Sequence, residues 1–149
     1  MLKYFKYILI LSLLLSNNLL SKELKITSDF LEVDRNNKVS IFSGNVYAFN
    51  SEIKIWSEKL KIIFNKNENK IHRLDAENKV KIINQGITAT GETGIYYPDS
   101  ETLDLFGNVE VAENDNIVKC DKLILDMKNS ISIMESNSSK RVEALIITN

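Results

Sequence analysis

The chain has 149 residues, 44% hydrophobic and 26% charged, with a formal net charge of -1. That length fits one domain, and the near-balanced charge lacks the basic excess of a nucleic-acid binder. One cysteine excludes an internal disulfide, and no CxxC pair or His/Cys cluster offers a metal or cofactor site.

The first 21 residues read as a targeting segment. Lys3 and Lys6 precede a short apolar run from Tyr7 to Leu15, and Ser16-Asn17-Asn18 breaks it before Leu19-Leu20-Ser21. A positive start, a short apolar core and a small terminal residue describe a secretory signal peptide, with cleavage expected near Ser21. The run is shorter than the ~20 apolar residues a bilayer span uses, which disfavours a retained anchor. Residues 22–149 then form a single domain. Without Lys3 and Lys6 it carries 17 basic and 20 acidic residues, a net charge of -3. In an oxidising compartment, Cys120 is expected to pack as a small apolar side chain.

The domain reads as short strands joined by polar turns. Leu24 to Ser28 alternates apolar and polar residues, the period of a half-buried strand, and resumes past a bend through Leu31 and Val33. Asp34-Arg35-Asn36-Asn37 is a turn by its Asx content. Val39 and Ile41 lead into Ser43-Gly44-Asn45-Val46, and Ile53 to Ser57 and Leu60 to Phe64 follow. After a loop at 65–70 come Ile71 to Ile83, Ile87 to Tyr97 and a turn at Pro98-Asp99-Ser100-Glu101. Leu103 to Val111, Ile117 to Leu125, Ile131 to Met134 and Arg141 to Ile147 complete the set. No useful helical period appears after the leader.

Two phrases recur through these strands. Gly44-Asn45-Val46 returns as Gly107-Asn108-Val109, with Asn78-Lys79-Val80 as a weaker copy between them. A small residue followed by an acid recurs as Ser28-Asp29, Ser57-Glu58, Gly91-Glu92 and Cys120-Asp121, spaced 29, 34 and 29 apart. Such spacing marks a repeat protein. Gly-Asn can take positive φ at a kink, and the small-acid step suggests a bulge that re-aims the strand. One two-strand unit cannot bury its apolar face alone, whereas stacked units can, as a sandwich or a laterally open barrel.

The residues offer no catalytic constellation. Asp29, Glu58, Glu92 and Asp121 form a carboxylate series, but one residue copied four times reads as a structural turn element rather than an acid/base pair. Ser28 and Ser57 have no base beside them, and the series Ser, Ser, Gly, Cys implies steric demand. His72, the only histidine, reads as a surface strand residue. Asn137-Ser138-Ser139 fits a glycosylation acceptor, a tripeptide common by chance.

Taken in order, Ile26 to Asp34, Ile41 to Val46, Ala89 to Glu92, Leu103 to Val109, Lys119 to Leu123 and Arg141 to Leu145 resemble the OstA-like family of periplasmic lipopolysaccharide-transport proteins, of the LptA type. The resemblance covers nearly all of the domain. It implies an all-β fold, a twisted, laterally open β-jellyroll built from repeated strand pairs. It also implies a periplasmic protein that shields lipid A acyl chains of lipopolysaccharide in an apolar slot and bridges inner- and outer-membrane complexes. Two departures stand out. Asn78 replaces the middle glycine and puts that bend in question, and Pro98 limits the strand before it. The membrane-anchored LptC type shares the fold, and so does the module ahead of the LptD barrel. A β-repeat adaptor that binds no lipid is a further reading.

Alternation puts Leu24, Ile26, Leu31, Val33, Ile41, Val46, Ile55, Leu60, Ile62, Ile82, Tyr96, Leu103, Leu105, Val109, Leu123 and Leu125 on the inward face, and all of these but Val46 form the expected lipid-binding set. It does not separate residues that line a slot from those that fill a core. The terminal strands supply the expected partner edges, Lys25, Ile26 and Thr27 at one end and Val142, Ala144, Leu145 and Ile146 at the other. By the resemblance, the first edge would meet an LptC-like inner-membrane protein. The second would meet another copy, head to tail, or an LptD-like outer-membrane translocon.

Overall fold

The computed structural model describes residues 23–148, and the leader expected at 1–21 lies outside them. The described residues form ten strands and no helix: β1 (Lys25–Thr27), β2 (Phe30–Asp34), β3 (Val39–Phe49), β4 (Ile53–Phe64), β5 (Ile71–Asn84), β6 (Ile87–Tyr97), β7 (Thr102–Glu113), β8 (Asn116–Asp126), β9 (Ile131–Glu135) and β10 (Glu143–Leu145). Every pairing is antiparallel. The order is β1-β3-β4-β5-β6-β7-β8-β10, with β2 also on β3 and β9 also on β8. The sheet is open, and each end carries two short strands where the middle carries one long one.

Each long strand crosses a bend built from a bulge in which two residues oppose one. Gly44-Asn45 stands against Glu58, Asn78-Lys79 against Glu92, and Gly107-Asn108 against Asp121. All six residues of the doubled positions have positive φ, from 45° at Asn108 to 81° at Gly107. At Gly44 and Gly107 a Cβ would come within 2.5 Å of Asp29 Oδ2 and 2.6 Å of Glu92 Oε2, so glycine is required by space as well as by φ. The middle copy keeps the bend without glycine, because asparagine tolerates the left-handed region. The loss of glycine at 78 therefore does not remove the kink.

The recurring acids knit these bends together. Asn45 Nδ2 donates to Asp29 Oδ2 at 2.9 Å, and Asn108 Nδ2 donates to Glu92 Oε1 at 2.7 Å. Glu58 meets Lys79 Nζ at 2.5 Å instead, since lysine stands where the other copies have asparagine. Asp121 Oδ2 accepts from the Asn137 backbone N–H at 2.9 Å, and Lys140 Nζ lies 3.4 Å from Oδ1. Asn137 is thus the fourth copy, 29 residues after Asn108 with Ser136 in the glycine place. The carboxylate series is a structural spine.

The bends fold the sheet into two layers. The first layer holds β1, the ends of β3, β5 and β7, the starts of β4, β6 and β8, and β10. The second holds β2, the complementary halves and β9. Ile55 and Ile82 of the first layer face Leu60, Leu74, Ala76, Gly94, Tyr96 and Leu103 of the second across a void too small to admit water. Twenty buried apolar side chains from both layers form one core.

The strand expected over 141–147 is shorter, because only Glu143–Leu145 pair with β8. Pro98 ends β6 as expected: Tyr97 is its last residue, and Glu101 N–H donates to Pro98 O at 3.4 Å.

Candidate functional site

The inward face is the feature most able to hold a ligand, and the register defines it row by row. In the first layer one row runs Ile26, Ala48, Ile55, Ile82, Ala89, Val111, Val118 and Ala144. In the second, one row runs Leu31, Phe42, Leu60, Ala76, Gly94, Leu105, Leu123 and Met134. Next to it run Val33, Ser40, Ile62, Leu74, Tyr96, Leu103, Leu125 and Ser132. Each row crosses the molecule from one open edge to the other, and none carries a charge.

Most of the expected inward set lies on these rows or beside them. Val46, Ile55, Leu60, Ile62, Ile82, Tyr96, Leu103, Leu105, Val109, Leu123 and Leu125 are buried, none more than 3% exposed. Leu24 and Ile26 are half-buried against the core. Leu31 and Val33 face inward by register but are 56% and 54% exposed, because β2 is an edge with nothing above it. Ile41 is a correction. It pairs with Glu32 and Lys61, so it points to the outer face, and Phe42 takes the inward place. The doubled bend keeps the period of two: inward residues are four apart across it (Phe42 and Val46, Ala76 and Val80, Leu105 and Val109), so an inward Val46 makes Phe42 inward and Ile41 outward. Inward residues are three apart across a single acid (Ser57 and Leu60, Cys120 and Leu123).

Phe42, Leu74, Ala76, Val80, Ala89 and Val111 were not singled out by alternation. For Phe42 a signal existed, since laying Gly44 on Gly107 aligns Phe42 with Leu105.

The centre is full and the ends are not. At the first end of the second layer, Val33, Val39 and Phe64 line a mostly apolar hollow of about 320 Å³, rimmed by Arg35 and Lys38. At the other end, the break between β9 and β10 leaves a hollow of about 680 Å³ with mixed lining, including Val109, Cys120, Val142 and the ion-paired Lys140. The long side between the layers is bounded by two sets of hairpin turns, at residues 50–52, 85–86 and 114–115 on one lip and 35–38, 65–70, 98–101 and 127–130 on the other. Asn84 ties the first lip together, with its amide donating to Glu52 O at 2.9 Å.

The polar groups serve the framework. The Asn137 N–H, then Lys140, hold the Asp121 carboxyl below its ordinary value, and Asn37 and Asn129 do the same for Asp34 and Asp126. Burial pushes the Cys120 thiol up, which keeps it protonated and unreactive. Ser57 Oγ is buried without a partner at the single-acid bend of β4, consistent with a place chosen for size. His72 is exposed, 6.4 Å from the Tyr97 ring. Among the described residues no cluster of His, Cys, Asp or Glu could hold a metal.

The expected edge residues occupy real edges. Lys25, Ile26 and Thr27 make up β1, which pairs on one side only, and Ala144 and Leu145 belong to β10, also paired on one side. Val142 and Ile146 flank β10 and are exposed.

Comparison with known proteins agrees with this geometry. The periplasmic component LptH of Pseudomonas aeruginosa, the LptA homologue of its lipopolysaccharide transport device, shares the fold with a TM-score of 0.76 at 15% identity. The match covers 85% of this chain and 96% of that one. No curated protein matches the sequence significantly. The family described as LptA/(LptD N-terminal domain) LPS transport protein matches residues 25–131. An open jellyroll whose central inward rows carry no charge and the family's own sequence pattern lead to one conclusion: the chain belongs to the LptA/LptD N-terminal family of lipopolysaccharide transport proteins.

Proposed function

We propose that this protein carries lipopolysaccharide through the periplasm by holding lipid A acyl chains against the inward apolar face. The observation that carries the reading is the exposed start of that face. Leu31 and Val33 lie on inward rows that continue without a charge into the core, yet more than half of each is open to solvent. An acyl chain laid there buries its own methylenes at about 0.8 kcal/mol each and covers exposed apolar surface. The filled centre makes the edges and the long side the points of entry, with further uptake requiring the layers to part.

Bridging follows from size. Eight strands in the sheet order, at ~4.8 Å per strand, reach only roughly 35 Å. Crossing a wider gap takes further modules joined edge to edge by strand addition. In this reading β1 and β2 meet an LptC-like inner-membrane module, and β9 and β10 meet a second copy or an LptD-like translocon. The family supports that pathway, and the leader expected over residues 1–21 fits a periplasmic location.

Photo-crosslinking tests the lipid reading. A photoreactive residue at Leu31 or Val33 should capture lipopolysaccharide, and one at Glu32, on the opposite face of β2, should not. Equal capture from both faces, or organic extracts of the purified protein that never contain lipid A and no binding of added lipopolysaccharide, would favour a β-repeat adaptor that joins partners without cargo.

A further inference from the structure

The outer surface of the first layer carries a feature that acyl binding does not use. Tyr47 stacks on Trp56 with ring centroids 4.7 Å apart and on Phe49 at 4.8 Å. Lys81 Nζ stands 5.4 Å from the Trp56 ring centroid, and Lys25 Nζ 6.0 Å from that of Phe49. Lys54 lies directly across from Phe49. Three stacked aromatic rings and three lysines thus share one face of four strands. No acid lies in their two register rows over β1, β3, β4 and β5. The ion pairs among the described residues use other lysines, Lys59, Lys79 and Lys119 among them.

Cross-strand stacking explains Tyr47 and Trp56 as a stabilising pair. It does not explain why the charges in these two rows over β1, β3, β4 and β5 are all positive in a chain with 20 acids and 19 basic residues. The corresponding outer row of the second layer has the opposite character, with Glu32, Asp75 and Asp104 against one lysine, Lys61. The first-layer row through Trp56 continues beyond β5 to Glu110, Lys119 and Glu143, so the positive character belongs to the β1–β5 part of that surface.

Position gives the patch its meaning. Phe49 and Lys54 sit next to the β3–β4 turn, and Trp56 is three residues beyond Ile53, roughly 10 Å along the strand. The patch therefore lies just over the lip of the long opening. An amphiphile with its acyl chains between the layers must leave its polar part outside one of the two lips. Aromatic faces with ammonium groups above them suit a ring-shaped, negatively charged group, since the rings are only half-buried and an exposed lysine over such a ring is weakly held and can turn to an anion.

We propose that this patch receives the acidic saccharide portion of the cargo, so that the molecule grips lipopolysaccharide on both sides of one lip. The proposal rests on the transport reading above and adds a second, polar site to it. Trp56 is the only tryptophan in the chain, so its fluorescence reads the patch directly. The probe is the acyl-free, phosphorylated oligosaccharide released from lipopolysaccharide by mild acid hydrolysis, which cannot use the apolar face. Its titration into the exported protein should change Trp56 emission saturably. A neutral oligosaccharide of the same length and inorganic phosphate should bind at least ten-fold more weakly. Lys25→Gln, Lys54→Gln and Lys81→Gln combined should weaken the acidic saccharide ten-fold or more, and the triple arginine variant should restore it. Lipid capture by a crosslinker at Leu31 is recorded in parallel. Unchanged emission with normal capture at Leu31 would overturn the patch alone, and an equal response to neutral saccharide or to phosphate would overturn its specificity for an acidic glycan. Loss of capture at Leu31 with intact saccharide binding would instead count against the acyl site.

Discussion

The two ends of the sheet are built from the same repeat and finish differently. At the first end β1 and β2 are separated by only Ser28 and Asp29, and the Asp29 N–H donates to Gly44 O at 2.9 Å across the bulge. The edge is continuous, and its acid takes a side-chain amide, as Glu92 does in the interior. At the other end seven residues, 136–142, intervene between β9 and β10. There Asp121 can reach only the backbone of Asn137 and the flexible Lys140, and a hollow opens beside it. An edge that runs without a break offers a long row of free N–H and C=O groups to an incoming strand. An interrupted edge offers two short rows held by exposed, solvent-screened ion pairs. The first end is a rigid template and the second an adaptable one.

Experiments can break or sharpen this contrast. The largest effect should come from removing what both ends share. Leu105 is fully buried and packs under Gly91 and Gly94, so Leu105→Ala should lower stability by about 2–5 kcal/mol. Thermal melting measures the loss, and hydrogen exchange should rise at both edges alike. Exchange that rose at one edge only would mean the core does not couple them.

Proline separates the edges next. Within β2, proline placed singly at Leu31 and at Glu32 should, at one of the two, delete an outward N–H and block assembly while the monomer stays folded. The same scan at Leu145 and Ile146 should weaken assembly less, given the three-residue β10. Light scattering decides it, and equal loss at both ends would erase the proposed difference.

Smaller changes probe the bends. Asn78→Gly at φ 63° should relieve the one doubled bend that lacks glycine, raising stability by up to about 1 kcal/mol in urea melts. Asp121→Asn should speed hydrogen exchange in 136–142 with little change in melting temperature. Acid should do the same. The Asp121 carboxyl titrates below its ordinary value near 3.8, chiefly because it accepts the Asn137 N–H. A depressed value means that its hold on the loop is complete above that pH and lost as pH falls through the lower folded value. Protection in 136–142 that persisted in acid while Asn45 and Asp29 separated would reverse the ranking of the two ends.

Much of this was legible in the residues. The small-acid and Gly-Asn phrases carry strict steric and φ demands, so they survive as a visible period and mark every bend except the last. Ser136-Asn137 escaped because serine replaces glycine and the loop behind it is long. Ile41 was misassigned because the Gly-Asn step reads as a shift of phase, whereas the doubled bend spans an even four residues from Phe42 to Val46 and keeps it; only the single-acid bends, three residues wide, shift the phase. The filled centre could not be read at all. Period-2 patterns give the face on which a side chain lies, and the gap between two faces depends on how Ala76, Gly94 and Tyr96 happen to interlock.

The bend counts have a consequence for how such a molecule can change in length. Strands with a doubled bend alternate with strands that carry a single acid, and each acid reaches forward to the next doubled bend or to its successor in the spine. Loss of one strand would bring two doubled bends side by side, reverse the direction of everything after it and leave a carboxylate without its amide. Loss or gain of two adjacent strands restores every one of these matches. Duplication can therefore lengthen this architecture in steps of a strand pair, and the reach of a transport protein becomes a quantity that evolution adjusts in whole units.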